Sequence, residues 1–388
     1  MLASFADVEK QARKMLIERE PARRRPSRLP LAISLVALVT AVVLWLRPDL
    51  ARTWLASVAP TPVPIGTATP STAEAVAAAR SAAETGNTSA AIVAWSTAVA
   101  VDPDLVDGHV ALARLLSLRR RHSEAIAAAQ TAVRESPESA EAHAALAFAQ
   151  DWSGDSDAAI KSALLAIDLD AASVEAHAVL AEAYAAKGRW DDALNTANTA
   201  VALDPESALA QRALGMAREM RGDVAGALAA YRLAAEIEPR QSAYRVDIGR
   251  VHRLSGDLDA AAAAFEDAAR VDPQDPVPYD SLGLLDYDMG RLDQAAARFA
   301  RAITIQTDYA PAYAHLGWTH YKRRQWADAA ESFETAIDLG ATSPEYYYEL
   351  GLSLIYQDDC AAGRPWLEKA LEADPSLQPA RDGLSLCP

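Results

Sequence analysis

Apolar positions along this chain fall into a pattern that closes on itself every 34 residues. Alanine stands at Ala91, Ala125, Ala159, Ala193, Ala227, Ala261, Ala295 and Ala329. Seven residues further on it stands again, from Ala98 to Ala370 without exception. Between the two come large apolar residues: Trp95, Tyr231, Phe265, Phe299, Phe333 and Leu367. Such a pattern predicts two helices per period that cross where only a small side chain fits, with the larger residues filling the space between. Glycine marks the end of the first helix at Gly86, Gly154, Gly188, Gly222, Gly256 and Gly290, where the chain needs a positive φ. Proline closes the period at Pro103, Pro137, Pro205, Pro239, Pro273 and Pro375, with Ala171, Thr307 and Ala341 in register.

A fixed period of this size means stacked supersecondary units rather than one globular core. Counting back from the proline gives nine units: 72–105, 106–139, 140–173, 174–207, 208–241, 242–275, 276–309, 310–343 and 344–377. Residues 378–388 remain, enough for a short capping helix. Below, "place" means position within a unit. The predicted fold is all-α, an α-solenoid of nine 34-residue helix-turn-helix repeats. Alanine dominates the apolar share of the composition, which favours helix and lets helices approach closely.

A different pattern opens the chain. Residues 29–46 read LPLAISLVALVTAVVLWL, with no charge. As a helix this run is roughly 27 Å long, close to the thickness of a bilayer's hydrocarbon core. It predicts one transmembrane helix ahead of the solenoid, with Trp45 at an interfacial end. Segment 1–28 carries eight Lys/Arg against four Asp/Glu, while residues 53 onward carry 27 against 48. Positive charge flanking the apolar run on its N-terminal side predicts a cytoplasmic N-terminus and an extracytoplasmic repeat domain, at the cell membrane. A cleaved signal peptide is the rival, but its apolar core is shorter and a small-residue cleavage site follows it closely. Segment 47–71 is rich in Pro and Thr, and Pro60, Pro62 and Pro64 favour an extended spacer. The net charge of −16 argues against nucleic acid as a partner.

The repeats resemble the tetratricopeptide repeat family over residues 72–377. Tyr279-x-x-Leu282-Gly283, Tyr313-x-x-Leu316-Gly317 and Tyr347-x-x-Leu350-Gly351 stand where that family carries its aromatic, leucine and glycine. Ala295, Phe299 and Ala302, and Ala329, Phe333 and Ala336, complete the pattern in two units. Units one to four are richer in alanine and match less fully, and Gly363 replaces the usual alanine in unit nine. The resemblance implies a right-handed solenoid that binds protein or peptide in its concave groove. It also implies that the groove is lined by places two, five, six, nine, twelve and thirteen. In units seven to nine these include Leu284, Tyr287, His315, Trp318, Tyr321, Tyr348 and Leu352, with Asp280, Asp288, Lys322, Glu345 and Glu349 around them. Earlier units offer mostly Ala and Val there, plus Arg80, Arg114, Arg212 and Arg250.

Other chemistry is sparse. His109, His143 and His177 recur at place four, but equivalent sites in neighbouring repeats are about 10 Å apart, too far for one zinc with ligands at ~2.1 Å. They are expected to pack between helices. No phosphate loop, nucleophile elbow or ligand-spaced Cys/His cluster occurs, so no metal, cofactor or enzyme activity is expected. The two cysteines, Cys360 and Cys387, fall on one edge of the solenoid and are predicted to form a disulfide that staples the cap; two free thiols are the alternative. The expected function is a membrane-anchored scaffold that docks a protein or peptide in an envelope-associated complex. Carbohydrate binding, for export or organisation of a cell-surface polymer, is the alternative, since aromatic rings stack on sugars too.

Overall fold

The structure is a computed structural model and describes residues 70–387. The basic segment 1–28, the predicted membrane helix 29–46, the linker up to residue 69 and Pro388 lie outside the described residues. Among the described residues nineteen helices follow one another without a strand. None of them is long and apolar enough to cross a membrane. The units pair α1 (Thr72–Glu84) with α2 (Thr88–Val101), α3 (Val106–Leu118) with α4 (His122–Glu135), and α5 (Ala140–Trp152) with α6 (Ser156–Leu169). Next come α7 (Val174–Ala186) with α8 (Trp190–Leu203), α9 (Ala208–Met220) with α10 (Val224–Ile237), and α11 (Ser242–Leu254) with α12 (Leu258–Val271). The last are α13 (Pro276–Asp288) with α14 (Leu292–Ile305), α15 (Ala310–Lys322) with α16 (Trp326–Asp338), and α17 (Pro344–Ile355) with α18 (Cys360–Ala373), and α19 (Gln378–Ser385) caps the stack.

Short polar signals set these boundaries. Ser71 caps α1 and exchanges hydrogen bonds with Glu74, a reciprocal box. Ser139, Ser173 and Ser207 accept from the backbone N–H three residues on, opening α5, α7 and α9. Asp155, Asp223, Asp257 and Asp359 do the same for the second helices. Each such cap contributes about 1 kcal/mol. The turn inside each unit needs one residue in the left-handed region. Glycine supplies it in six units, and Arg120, Arg324 and Asp358 take it at φ 58°, 59° and 65° in the other three.

The alanines at places 20 and 27 are fully buried wherever helices of a unit cross. Phe265, Phe299 and Phe333 at place 24 are buried as well, and each occupies room that a glycine at place eight leaves open. A Cβ added at Gly283 would stand 2.4 Å from the Phe299 ring, and one at Gly249 2.5 Å from the Phe265 ring. Units two to four use alanine at both places instead: Ala113 with Ala129, Ala147 with Ala163 and Ala181 with Ala197.

Place four has a job beyond packing. His109, His143 and His177 each bring Nε2 to the carbonyl of the residue six before, Pro103, Pro137 and Ala171, at 2.8, 2.8 and 3.1 Å. Gln211 and Tyr313 donate to the same carbonyl in their units, that of Pro205 and of Thr307. The histidines therefore tie down the link between repeats.

The solenoid coils tightly enough to touch itself. Arg240, in the link after unit five, lies along Gly86 and donates to the Glu84 carbonyl in the turn of unit one. Arg119, in the turn of unit two, pairs with Asp272, 153 residues further on, at 2.6 Å and with Asp275 at 3.8 Å. Ser242 donates to the other oxygen of Asp275 at 2.5 Å, which fixes that carboxylate against the arginine. At the far end Cys360 and Cys387 are joined by a disulfide with their Cα atoms 5.6 Å apart, holding the end of α19 to the start of α18.

Candidate functional site

The first helices of the middle units carry a chain of ion pairs along the places expected to line the groove. Arg212 on α9 reaches Glu182 on α7 at 2.6 Å and Asp247 on α11 at 2.8 Å. Arg250 bonds Asp247 at 3.3 Å and also pairs with Glu219, whose second oxygen accepts from the Tyr231 hydroxyl at 2.9 Å. Arg114 on α3 holds Glu141 at 3.1 Å and Glu175 through Nε at 2.8 Å. Arg120 and Arg212 both lie over the Trp152 ring, at 4.8 and 4.9 Å from its centroid. Arg212, Glu182 and Asp247 have side chains only 14, 2 and 10% exposed.

This corrects the expected groove in the earlier units. Arg114, Arg212 and Arg250 are already paired within the fold, Arg212 largely buried and the other two with side chains 34% exposed. They are spent on carboxylates from neighbouring helices, while Arg80 is exposed at the edge of the first unit. Burial opposes the charge on Asp247, but Arg212 and Arg250 outweigh it and hold its carboxyl below the ordinary range. Asp151 has no such partner within bonding distance; burial, with Glu182 nearby, pushes it up to about 7.

Units seven to nine differ. Trp318 stacks on His315 at 5.5 Å and tilts against Tyr346 at 5.5 Å. Tyr321 meets Trp326 edge-on at 5.1 Å and Tyr356 at 6.2 Å, with Trp326 and Tyr356 4.7 Å apart. The Lys322 ammonium sits 4.3 Å over the Tyr287 ring. Leu284, Tyr287, Trp318, Tyr321 and Tyr348 are each half-buried, leaving part of every side chain open to solvent.

Two of the expected groove residues are elsewhere. Leu352 is 8% exposed and lies beneath the cap at Gly383, in one apolar cluster with Ala380 and Cys387. The cap turns into core a place that is half-buried in units seven and eight, at Leu284 and Trp318. His315 is turned inward: Nδ1 meets Asp280 at 2.7 Å and its ring lies 5.4 Å from Phe299. It braces Trp318 rather than facing a ligand. Glu349 is the larger departure. Expected among the polar surroundings, it is 8% exposed, accepts from Tyr348 at 2.9 Å through one oxygen and leaves the other, Oε2, without a partner. Burial pushes its carboxyl up to about 7. Tyr346, Trp326 and Tyr356 join this face from outside the expected set. Only Tyr356, at place 13, carried a signal for it.

The tetratricopeptide repeat model TPR_16 matches residues 76–140, 179–244, 233–276 and 314–377, together more than half of the chain. This chain belongs to the tetratricopeptide repeat family. No curated protein matches it. Among solved structures it is similar to the APC/C hetero-tetramer Cut9–Hcn1, with 15% identity and a TM-score of 0.57 over 76% of this chain. It spans 59% of that chain's length, and at such identity the likeness shows the fold alone. It is also similar to Pseudomonas aeruginosa pilF, at 17% identity and TM-score 0.46 over 56% of this chain and 98% of that one. A third, MamA protein, gives 22% identity and TM-score 0.37 over 44% of this chain and 93% of that one. The tetratricopeptide fold is a protein-interaction scaffold, and this chain carries it across the described residues.

Proposed function

We propose that this protein is a membrane-anchored tetratricopeptide scaffold without enzyme activity, and that it binds a protein or peptide on the concave face of units seven to nine. The observation that carries the reading is the contrast along that face. In the middle units its arginines are consumed by internal ion pairs, while in the last units half-buried tyrosines and a tryptophan keep open surface beside an unsatisfied carboxyl. Partly exposed aromatics around a buried polar group suit an interaction hot spot. The acidic body and the buried carboxyl favour a basic peptide over a glycan of neutral or negative charge.

The apolar run 29–46 and the basic residues before it support anchoring with the repeats outside the cytoplasm, and the cap disulfide suits an oxidising compartment. Two measurements test the reading. The first is co-purification from solubilised membranes with Tyr287→Ser plus Tyr348→Ser, using a circular-dichroism melt to check the fold. Partners lost while helicity stays is the expected result; partners unchanged means that this face is not the binding surface. The second is protease access to a tag after Pro388. Cleavage once the envelope is opened, with the inner membrane intact, is expected, and protection until that membrane is breached would invert the topology.

A further inference from the structure

Glu349 is a buried carboxyl that the fold leaves half-used. One oxygen accepts from Tyr348, and Oε2 has neither a protein partner nor contact with solvent. A protonated Oε2 would be a hydroxyl without an acceptor, and an ionised one a buried anion without a counter-charge. Both states cost free energy that a ligand can recover. Tyr348 on the same helix bonds it, and Tyr287 on α13 and Tyr321 on α15 are the other tyrosines that its charge acts on. All three lie close enough for the charge on Glu349 to raise their hydroxyls further above the ordinary range, after burial has already done so.

None of the cations of these units is bonded to Glu349, and Lys322 covers only one face of the Tyr287 ring. Lys322 lies over Tyr287, Lys369 lies over Tyr347 and Trp366, and Arg364 pairs with Glu368. Arg381 donates to the Pro375 carbonyl and Gln378. Glu345 on the same helix accepts from Ser343, and Asp288 on α13 pairs with Arg253, so the neighbouring carboxylates add negative potential but no counter-ion. The charged residues of α16, including Asp328, Glu331, Glu334 and Asp338, are exposed.

Resting on the reading above, we propose that the Glu349 carboxyl with Tyr287, Tyr321 and Tyr348 forms a seat for a cationic side chain, a lysine or arginine presented by the bound peptide. Aromatic faces attract such a cation, and the carboxylate supplies its counter-charge and a hydrogen-bond acceptor. Binding draws Glu349 into its ionised form and releases a proton. Affinity then rises with pH until the free carboxyl is already ionised.

The test uses the full chain in detergent micelles, labelled with carbon-13 on tyrosine, with Tyr287, Tyr321 and Tyr348 assigned by single Tyr→Phe variants. The probe is n-butylammonium, a lysine side chain alone, against n-butanol as its uncharged counterpart. Butylammonium should shift the three resonances and butanol should not, and the butylammonium Kd should fall about tenfold between pH 6 and pH 8. Glu349→Gln, which mimics the protonated acid and should fold, should lose the pH dependence and bind at least tenfold more weakly. Equal shifts from butanol, no shift from either probe, or a Kd indifferent to pH in the unmodified protein would overturn the proposal. If the seat fails while Tyr287→Ser plus Tyr348→Ser still releases co-purifying partners, the peptide-binding reading survives without it. If both are silent, both fall.

Discussion

The middle and C-terminal repeats present the same face of the same fold and have put it to opposite uses. In units two to six, places that could meet a ligand hold Arg114, Arg212 and Arg250, and each is matched to carboxylates on neighbouring helices. In units seven to nine the equivalent places hold Tyr287, Trp318, Tyr321 and Tyr348, each partly open to solvent, and Tyr348 bonds a carboxyl with a spare oxygen. The packing beneath differs as well. Alanine meets alanine between the helices of units two to four, whereas glycine meets phenylalanine in units six to eight. Family membership therefore does not say which part of a concave face is available. That depends on whether its polar groups are already satisfied from within.

Arg212 is the most sensitive point of the middle face. Replacing it with alanine strands Glu182 as a buried carboxylate and leaves Asp247 to Arg250 alone, which should cost about 3–5 kcal/mol. Urea unfolding of the purified protein measures this. A loss below 1 kcal/mol would mean that the middle face is a solvated groove after all. The next effect belongs to the cap. Cys387→Ser opens a 27-residue loop and should cost about 3–4 kcal/mol, felt in α17 to α19. Hydrogen exchange should show those helices losing protection while α9 keeps its own. An unmodified sample without reductant should weigh 2 Da less than after reduction, for the two hydrogens of one disulfide.

Acidity sharpens the contrast further. The carboxyl of Glu349 sits at about 7, above its unfolded value, so the folded state holds a proton that the unfolded chain has lost. Its stabilising contribution is complete below about pH 4, declines as pH rises, and is gone above about pH 7. Asp151, also raised to about 7, acts in the same direction. Glu349→Gln should match the unmodified protein near pH 4 and exceed its stability at pH 8 by about 1–3 kcal/mol. Equal stability at pH 8 would show that the carboxyl is already compensated. An effect of similar size tests packing. Gly283→Ala crowds the Phe299 ring and should cost about 1–3 kcal/mol, whereas alanine already occupies the equivalent Ala147 and Ala181. A melt of Gly283→Ala indistinguishable from the parent would contradict that account.

Much of this was legible in the sequence because a repeat tests each reading nine times. The helix pairs, the buried alanines at Ala98 to Ala370 and the positive-φ glycines all follow from residues that recur at fixed places. The cysteine pair followed from the frame too, since the register puts Cys360 and Cys387 on one edge. What the frame could not supply is anything that depends on coiling. The contact of Arg119 with Asp272 joins residues 153 positions apart and has no local signature. The matching of Arg212 to Glu182 and Asp247 spans three units, so a repeat-by-repeat reading left those arginines on an open groove. Leu352 failed for a related reason. It occupies a groove place in the last unit, where the cap rather than solvent is its neighbour. Glu349 reads as one more surface acid, and its burial, with only the Tyr348 hydroxyl on one oxygen, comes from the packing of the last helices.

Site-specific photo-cross-linking tests the division of the concave face most directly. A benzophenone side chain would be placed at Tyr348 in one sample and at Glu141, on the first helix of unit three, in another. The account predicts cross-linked partners from position 348 and none above background from position 141. Partners captured from 141 but not from 348 would contradict it, and would move the binding surface to the repeats whose arginines are paired within the fold.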